Sequence, residues 1–203
     1  MIEYDEVIKK MKSEGDLNMN IKKMESKLVF LRSLELSDLE RTYKWHNDVA
    51  LYEFVVGTFR YTSRASEEEW LRKMQSYSTQ EVNLAICLTS NSQHIGNIYI
   101  RHIDWVARHA QLIGIIIGDP DQRSKGYGQA ALHLLIKHAF QDLGLLRLWG
   151  FVLEEHMQSI RMLENCGFVV EGKMRNHAFK GGELKDVLVV GICADDYFSL
   201  KGA

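Results

Sequence analysis

The chain has 203 residues, 46% apolar and 26% charged, enough for one good hydrophobic core, and its single proline and lack of low-complexity runs give no sign of a linker. A net charge of −2 provides no global pull toward nucleic acid or anionic membrane, so any anion site must be local. Cys87, Cys166 and Cys193 lack C-x-x-C spacing, and no stretch approaches the ~20 apolar residues of a membrane span, which points to reduced thiols, no metal and a cytoplasmic chain.

Ile2, Tyr4, Val7, Ile8 and Met11 fall at helical spacing before Ser13, Glu14 and Gly15 interrupt, so residues 1–25 read as an extension with one short amphipathic helix. Glu3, Asp5 and Glu6 stand where a secretory signal would be basic; an alternative start at Met19 or Met24 stays open. A single domain is expected over 26–203. Its first strand is Lys27 to Leu34, and Ser37 with Glu40 reads as a capping box opening a helix from Asp38 to about Trp45. A second box, Ser66 with Glu69, opens a helix through Trp70, Leu71, Met74 and Tyr77. Between them, Tyr52 to Arg64 is an aromatic and basic loop, long enough to expect a role for it.

Val82 to Leu88 and His94 to Asp104 read as a hairpin joined by the polar turn Thr89 to Gln93. After a turn over Trp105 to His109 comes a short apolar strand, Leu112 to Gly118, of the kind buried on both faces. Pro120 and Asp121 end it, and Gln122, Arg123, Ser124, Lys125, Gly126, Tyr127 and Gly128 form an R-x-x-G-x-G loop feeding a helix from Gln129 to Phe140. Glycines at such a turn let backbone N–H groups face inward, and a helix N-terminus beside Arg123 and Lys125 is suited to a pyrophosphate. The G-x-G-x-x-G and G-x-x-x-x-G-K-[ST] spacings are absent, which disfavours a dinucleotide fold or a P-loop. A strand over Leu145 to Leu153, a helix ending in S-I-R-x-L-E-x-x-G-F (Ser159 to Phe168) and strands with E-G-x-x-R and D-V-L-V follow.

This ordered set resembles the GNAT superfamily of acetyl-CoA-dependent N-acetyltransferases over about Lys27 to Phe198. Within it the chain is most similar to the ribosomal-protein N-terminal serine/alanine acetyltransferases, with the spermidine acetyltransferases next. The resemblance implies a mixed α/β fold, a mostly antiparallel sheet of about seven strands flanked by helices. It implies acetyl-CoA as donor and an amine acceptor, small molecule or protein N-terminus, with no metal, nucleic acid or membrane partner and a homodimer through the final strands. It further implies that residues 122–128 cradle the coenzyme pyrophosphate and that a backbone N–H around Ile115, Ile116 and Ile117 serves the thioester carbonyl. His156 takes the place of a coenzyme-contacting Asn, Ser159 matches a thiolate-contacting serine, and Arg161 is placed to reach a phosphate. Leu163 stands where the spermidine branch carries a protonating tyrosine.

Trp45, Asn47, Tyr52 and Glu53 are expected on the acceptor side, where Asp48 and Glu67 to Glu69 add negative charge. Turn-forming and capping roles explain several of these equally well. Gln111 and Leu112 occupy the strand position where relatives carry a carboxylate, so the base must come from elsewhere: His102, Asp104, His109, His156, His177 or a water chain. A non-catalytic acetyl-CoA-binding module is the rival reading.

Overall fold

The computed structural model describes residues 24–202, and the amphipathic segment at the N-terminus lies outside them. The strands are β1 (Met24–Glu25), β2 (Val29–Ser33), β3 (Val82–Leu88), β4 (His94–Asp104), β5 (His109–Ile117), β6 (Arg147–Leu153), β7 (Val169–Lys180) and β8 (Glu183–Cys193). They form one eight-stranded sheet in the order β1-β2-β3-β4-β5-β6-β8-β7. The strand beyond the expected seven is β1, two residues pairing Met24 with Leu31 and too short for a side-chain period to reveal.

The helices are α1 (Leu39–His46), α2 (Val49–Tyr52), α3 (Arg64–Gln75), α4 (Tyr127–Lys137), α5 (Met157–Asn165) and α6 (Ala194–Gly202). The sequence reading does not anticipate α6, whose Tyr197 packs edge-on against Phe140 at 5.5 Å. Alternation along the strands gives the sheet two apolar faces. Ile86, Ile98, Ile100, Leu112 and Leu148 join Leu132, Leu135 and Ile136 of α4 on one face. Ala85, Cys87 and Tyr99 join Leu34, Leu71 and Met74 on the other, under α3.

The first expected capping box moves two residues toward the N-terminus, and the cap of the second helix moves three. Glu35 and Asp38 form the first, around a 3-10 turn over Leu36–Asp38. The second helix is capped by Ser63, whose hydroxyl accepts from the Ser66 N–H at 3.1 Å. For the first, the reason is Asp38, which is buried and also held by remote partners. Arg32 donates to both of its oxygens at 2.8 Å, and His94 Nδ1 is 3.0 Å from Oδ1. Burial pushes the Asp38 carboxyl up, but the Arg32 and His94 contacts and the Glu35 N–H outweigh it and hold the group well below the usual carboxylate range.

A depressed carboxyl contributes stability above its unfolded value of about 3.9 and loses it as pH falls into the acid range. Asp38→Asn is therefore expected to lower stability by about 2–3 kcal/mol at neutral pH, with a deficit that narrows below about pH 4. Urea unfolding at pH 7 and pH 3.5 checks this; a constant deficit at both pH values contradicts it.

Candidate active site

All neighbouring strands pair antiparallel except β5 and β6, which run parallel. Their ladder lasts from His109↔Arg147 to Leu112↔Gly150 and then stops. Two features open it. On the β4 side, Tyr99 pairs with Gly114 and Ile100 with Leu112, leaving Ile113 as a bulge that bends β5 away. At the last shared rung the backbones are so close that a Cβ on Gly150 would lie 2.8 Å from the Leu112 carbonyl oxygen. Beyond that rung the two strands are the walls of a cavity of about 380 Å³. Residues 111–116 of β5, Gly150, Phe151 and Val152 of β6, and His156, Ser159, Met162 and Leu163 around α5 line it.

The loop expected to hold an anion lies at the open end of β5. Ser124 and Gly126 both have left-handed backbones, with φ of 60° and 80°. Gly126 is the residue from which α4 starts, and the first intrahelical bond is Ala130 N–H to Gly126 O at 3.0 Å. The amides of Tyr127, Gly128 and Gln129 precede that bond and belong to the unpaired first turn of a helix. This geometry fits a pyrophosphate. Lys125 is exposed beside it, reaching Gln122 Oε1 at 3.4 Å, and Ser124 Oγ accepts from Gln158 Nε2 of α5 at 3.2 Å. Arg123 instead turns back: Nε donates to Ile117 O and Nη2 to Gly118 O, each at 3.1 Å. It fastens the loop to the end of β5. Arg161 is exposed on α5.

His156 and Ser159, singled out separately in the sequence, are brought together. His156 is the N-cap residue of α5, and its Nε2 is 3.2 Å from Ser159 Oγ. Phe54 stacks on the imidazole with centroids 4.8 Å apart. Burial lowers the His156 pKa below its ordinary 6.5, so the neutral ring is the form present at physiological pH. His156 and Ser159 line the same cavity as Gly114 and Ile115.

The acceptor-side residues divide. Trp45 is buried, and a Cβ on Gly118 would lie 2.1 Å from its ring, so Trp45 locks α1 onto the end of β5. Asn47 donates to Tyr43 O and Thr62 O and accepts from Thr62 N–H, all at 3.0 Å. Both are structural. Asp48 caps α2, and Glu68 pairs with Arg72 at 2.7 Å. Tyr52 lines the cavity, while Glu53 is on an adjoining groove of about 670 Å³ that shares Tyr52.

The loop over 52–64 lies across the cavity mouth through Phe54, Val55, Val56 and Gly57. Lys180 of β7 anchors it, donating to Tyr52 O at 2.9 Å and to Gly57 O. Burial lowers the Lys180 pKa. This clamp joins residues over 120 positions apart, and nothing local in the sequence signals it. Of the other base candidates, His102 Nδ1 contacts Gln111 Oε1 at 2.9 Å, Asp104 accepts from the Val106 and Ala107 amides, and His177 is 6.1 Å from the Phe151 ring.

Residues 29–169 match the family described as Acetyltransferase (GNAT) domain. The chain belongs to the GNAT acetyltransferase family. It is an acetyl-CoA-dependent N-acetyltransferase. A probable N-acetyltransferase of Bacillus subtilis, YjcK, is 24% identical over 178 residues, covering 85% of this chain and 98% of that protein. The spermidine N(1)-acetyltransferase of Vibrio cholerae is 27% identical over 105 residues, 52% of this chain and 60% of that one. The solved structure of the Vibrio cholerae spermidine N-acetyltransferase in complex with CoA and spermine superposes with a TM-score of 0.78, at 24% identity over 85% of this chain and 99% of that one. That last likeness speaks to the fold. Together these place the chain in the GNAT family, with spermidine acetyltransferases, the second branch expected from the sequence, among the proteins it is similar to; the ribosomal-protein branch expected first is not shown.

If His156 acts in the reaction, kcat/KM falls as pH drops through a pKa below 6.5, because the protonated ring can no longer accept from Ser159. In His156→Ala that acid limb is expected to vanish and the plateau to fall about tenfold or more. A pH profile of kcat/KM checks it; an unchanged limb in the variant refutes a role for His156.

Proposed function

We propose that this GNAT protein acetylates a primary amine by direct attack within a ternary complex. The observation that carries the reading is the parting of β5 from β6 beside the loop over 122–128. A pantetheine arm fits between the parted strands as an added strand on 114–117, bringing the thioester against the backbone N–H groups of Ile115 to Ile117 and its sulfur toward Ser159 and His156. Donors fixed in place before reaction stabilise a developing oxyanion without reorganising, and this is where most of the rate enhancement is expected.

For the acceptor, the residues lining the cavity include no Asp, Glu, Lys or Arg. In the adjoining groove, Glu155 and Glu183 are both paired to Lys185, at 3.3 and 2.7 Å. A neutral aromatic cleft supports an acceptor bearing one amine on an apolar or peptide body over a polyamine with several charges. The free thiols Cys87, Cys166 and Cys193 suit a cytoplasmic setting. Dimerisation through the final strands is a proposal in keeping with the open edge at β7, where Val169, Val170 and Phe179 are exposed.

The test is thiol release from acetyl-CoA with polyamines, amino sugars and short peptides with Ser or Ala N-termini. Turnover is expected with peptide or single-amine acceptors, and is expected to be lost in Gly126→Asp and Gly128→Asp. The first puts a side chain on a left-handed backbone, and the second puts a carboxylate where a Cβ already meets Met162 Sδ at 3.3 Å. Turnover confined to polyamines contradicts the acceptor assignment; tight acetyl-CoA binding with no turnover contradicts the catalytic reading.

A further inference from the structure

The cavity between β5 and β6 contains a polar side chain to which the chemistry above gives no role. Its lining includes Tyr52, Tyr99, Gln111, His156 and Ser159. His156 and Ser159 face each other at 3.2 Å, and the Tyr99 hydroxyl is buried. Gln111 is the one carboxamide in the lining. Ala110 and Leu112 belong to the core under α4, so alternation puts Gln111 on the other face of the sheet. It pairs with Trp149 of β6 on the rung before the ladder ends, which places it at the apex where the two strands part.

On its other side Gln111 pairs with Arg101 of β4, and there β4 leaves regular pairing. The next pair is Asp104 with His109, so His102 and Ile103 together oppose Ala110 alone. This is a second β-bulge, a device that re-aims a side chain. Ile103 goes into the core, while His102 stays exposed and takes a left-handed backbone with φ of 52°. Such a backbone is uncommon outside glycine and recurs where a side chain must be aimed. Its product is one contact: His102 Nδ1 is 2.9 Å from Gln111 Oε1. An amide oxygen only accepts, so the imidazole donates and the carboxamide is oriented by it. The amide nitrogen, Nε2, has no hydrogen-bond partner among the described residues and is not one of the buried atoms left without one, so its two N–H groups are open to solvent.

What such a group recognises follows from its chemistry. Two fixed N–H donors bind a carbonyl oxygen, and they offer nothing to an ammonium, which brings only donors of its own. A polyamine supplies cations and methylenes; a peptide supplies a carbonyl next to its α-amine and another one residue on. Four strand residues, roughly 13 Å, separate Gln111 from Ile115, an interval that the glutamine side chain and the first one or two residues of an extended acceptor span together. A carboxylate at this place would hold cations instead.

We propose that Gln111 is a specificity-determining residue whose amide N–H groups bind a backbone carbonyl near the amino terminus of a peptide acceptor, with His102 as the positioning residue that orients the amide. This rests on the acceptor reading above and deepens it, narrowing the acceptor to a peptide N-terminus. The bulge in β4 aims His102, His102 turns the carboxamide, and the carboxamide selects against acceptors that have an amine and no carbonyl.

The readout is the ratio of kcat/KM for a short peptide with an Ala N-terminus to that for butylamine, which has the amine without the carbonyl, with spermidine as a third acceptor. Gln111→Met keeps the length and loses both donors; its ratio is expected to fall about tenfold, through the peptide's KM and not its kcat, as lost ground-state binding does. Gln111→Glu keeps an oxygen for His102 but puts a charged oxygen in place of the N–H groups, and is expected to lose the same ratio while spermidine gains on the peptide. His102→Ala frees the amide and is expected to lose the ratio as well. His102→Asn is expected to restore it, because asparagine carries an N–H donor on Cγ as histidine does and suits a left-handed backbone. A ratio unmoved in both Gln111 variants overturns the proposal, and so does a Gln111→Glu variant that keeps its peptide preference, since the amide oxygen would then be what meets the acceptor. Where Gln111→Met fails to fold, equal ratios in wild type, His102→Ala and Gln111→Glu overturn it. A wild type that acetylates butylamine or spermidine but no peptide overturns the acceptor reading and this proposal together; a wild type that prefers the peptide, with variants that share its ratio, overturns this proposal alone.

Discussion

The site exists because two parallel strands stop pairing. β5 and β6 share four rungs, ending at Leu112↔Gly150, and every functional group described above is placed relative to that point. A sheet that kept its ladder would satisfy its own backbone and have nothing to offer a ligand. Here the bulge at Ile113 turns β5 aside, and the absent side chain at Gly150 lets the backbones touch before they part. The exposed strand groups beyond the apex are offered to whatever extended chain enters the gap. The helix that starts at Gly126 closes one end of the gap with amides, and α5 lines its far wall.

Much of the remaining structure holds this gap in shape from the side of α1 and the loop over 52–57. Trp45 against Gly118 fixes α1 to the end of β5, where Arg123 also ties the loop down. The Arg32–Asp38–His94 cluster, with Asp38 and His94 buried, joins β2, the 3-10 turn and β4 beneath the same region. The loop over 52–57 is then held across the mouth by Lys180, so one lysine from the last hairpin roofs the cavity. These contacts convert a local irregularity in one strand pair into a defined cavity.

The sequence made the strand, loop and helix around residues 112–140 legible, and the surroundings of the cavity mouth much less so. The strand, loop and helix around Arg123 to Gly128 are contiguous, so their glycines, charges and apolar periods lie within one short window, and β3 and β4 appear at the expected boundaries. The order strand, helix, strand, helix, strand, strand after β4 was readable for the same reason. Asp38 reads as an ordinary helix-opening residue because its partners Arg32 and His94 are remote or on other elements, which is why the first capping box lies earlier than the sequence suggests. Trp45 and Asn47 have compositions that suit a binding wall, yet their contacts with Gly118 and Thr62 are long-range packing. The Lys180 clamp and the closeness of Tyr99 to the cleft arise from topology, which side-chain periodicity does not encode.

Hydrogen exchange with and without acetyl-CoA tests most directly whether the parted strands are the coenzyme's seat. The account predicts slowed exchange at the amides of Gly114 to Ile117 and of Ser124 to Gly128, with β2, β3 and the distal part of the β7–β8 hairpin unchanged. Protection that leaves both of those segments untouched would contradict it.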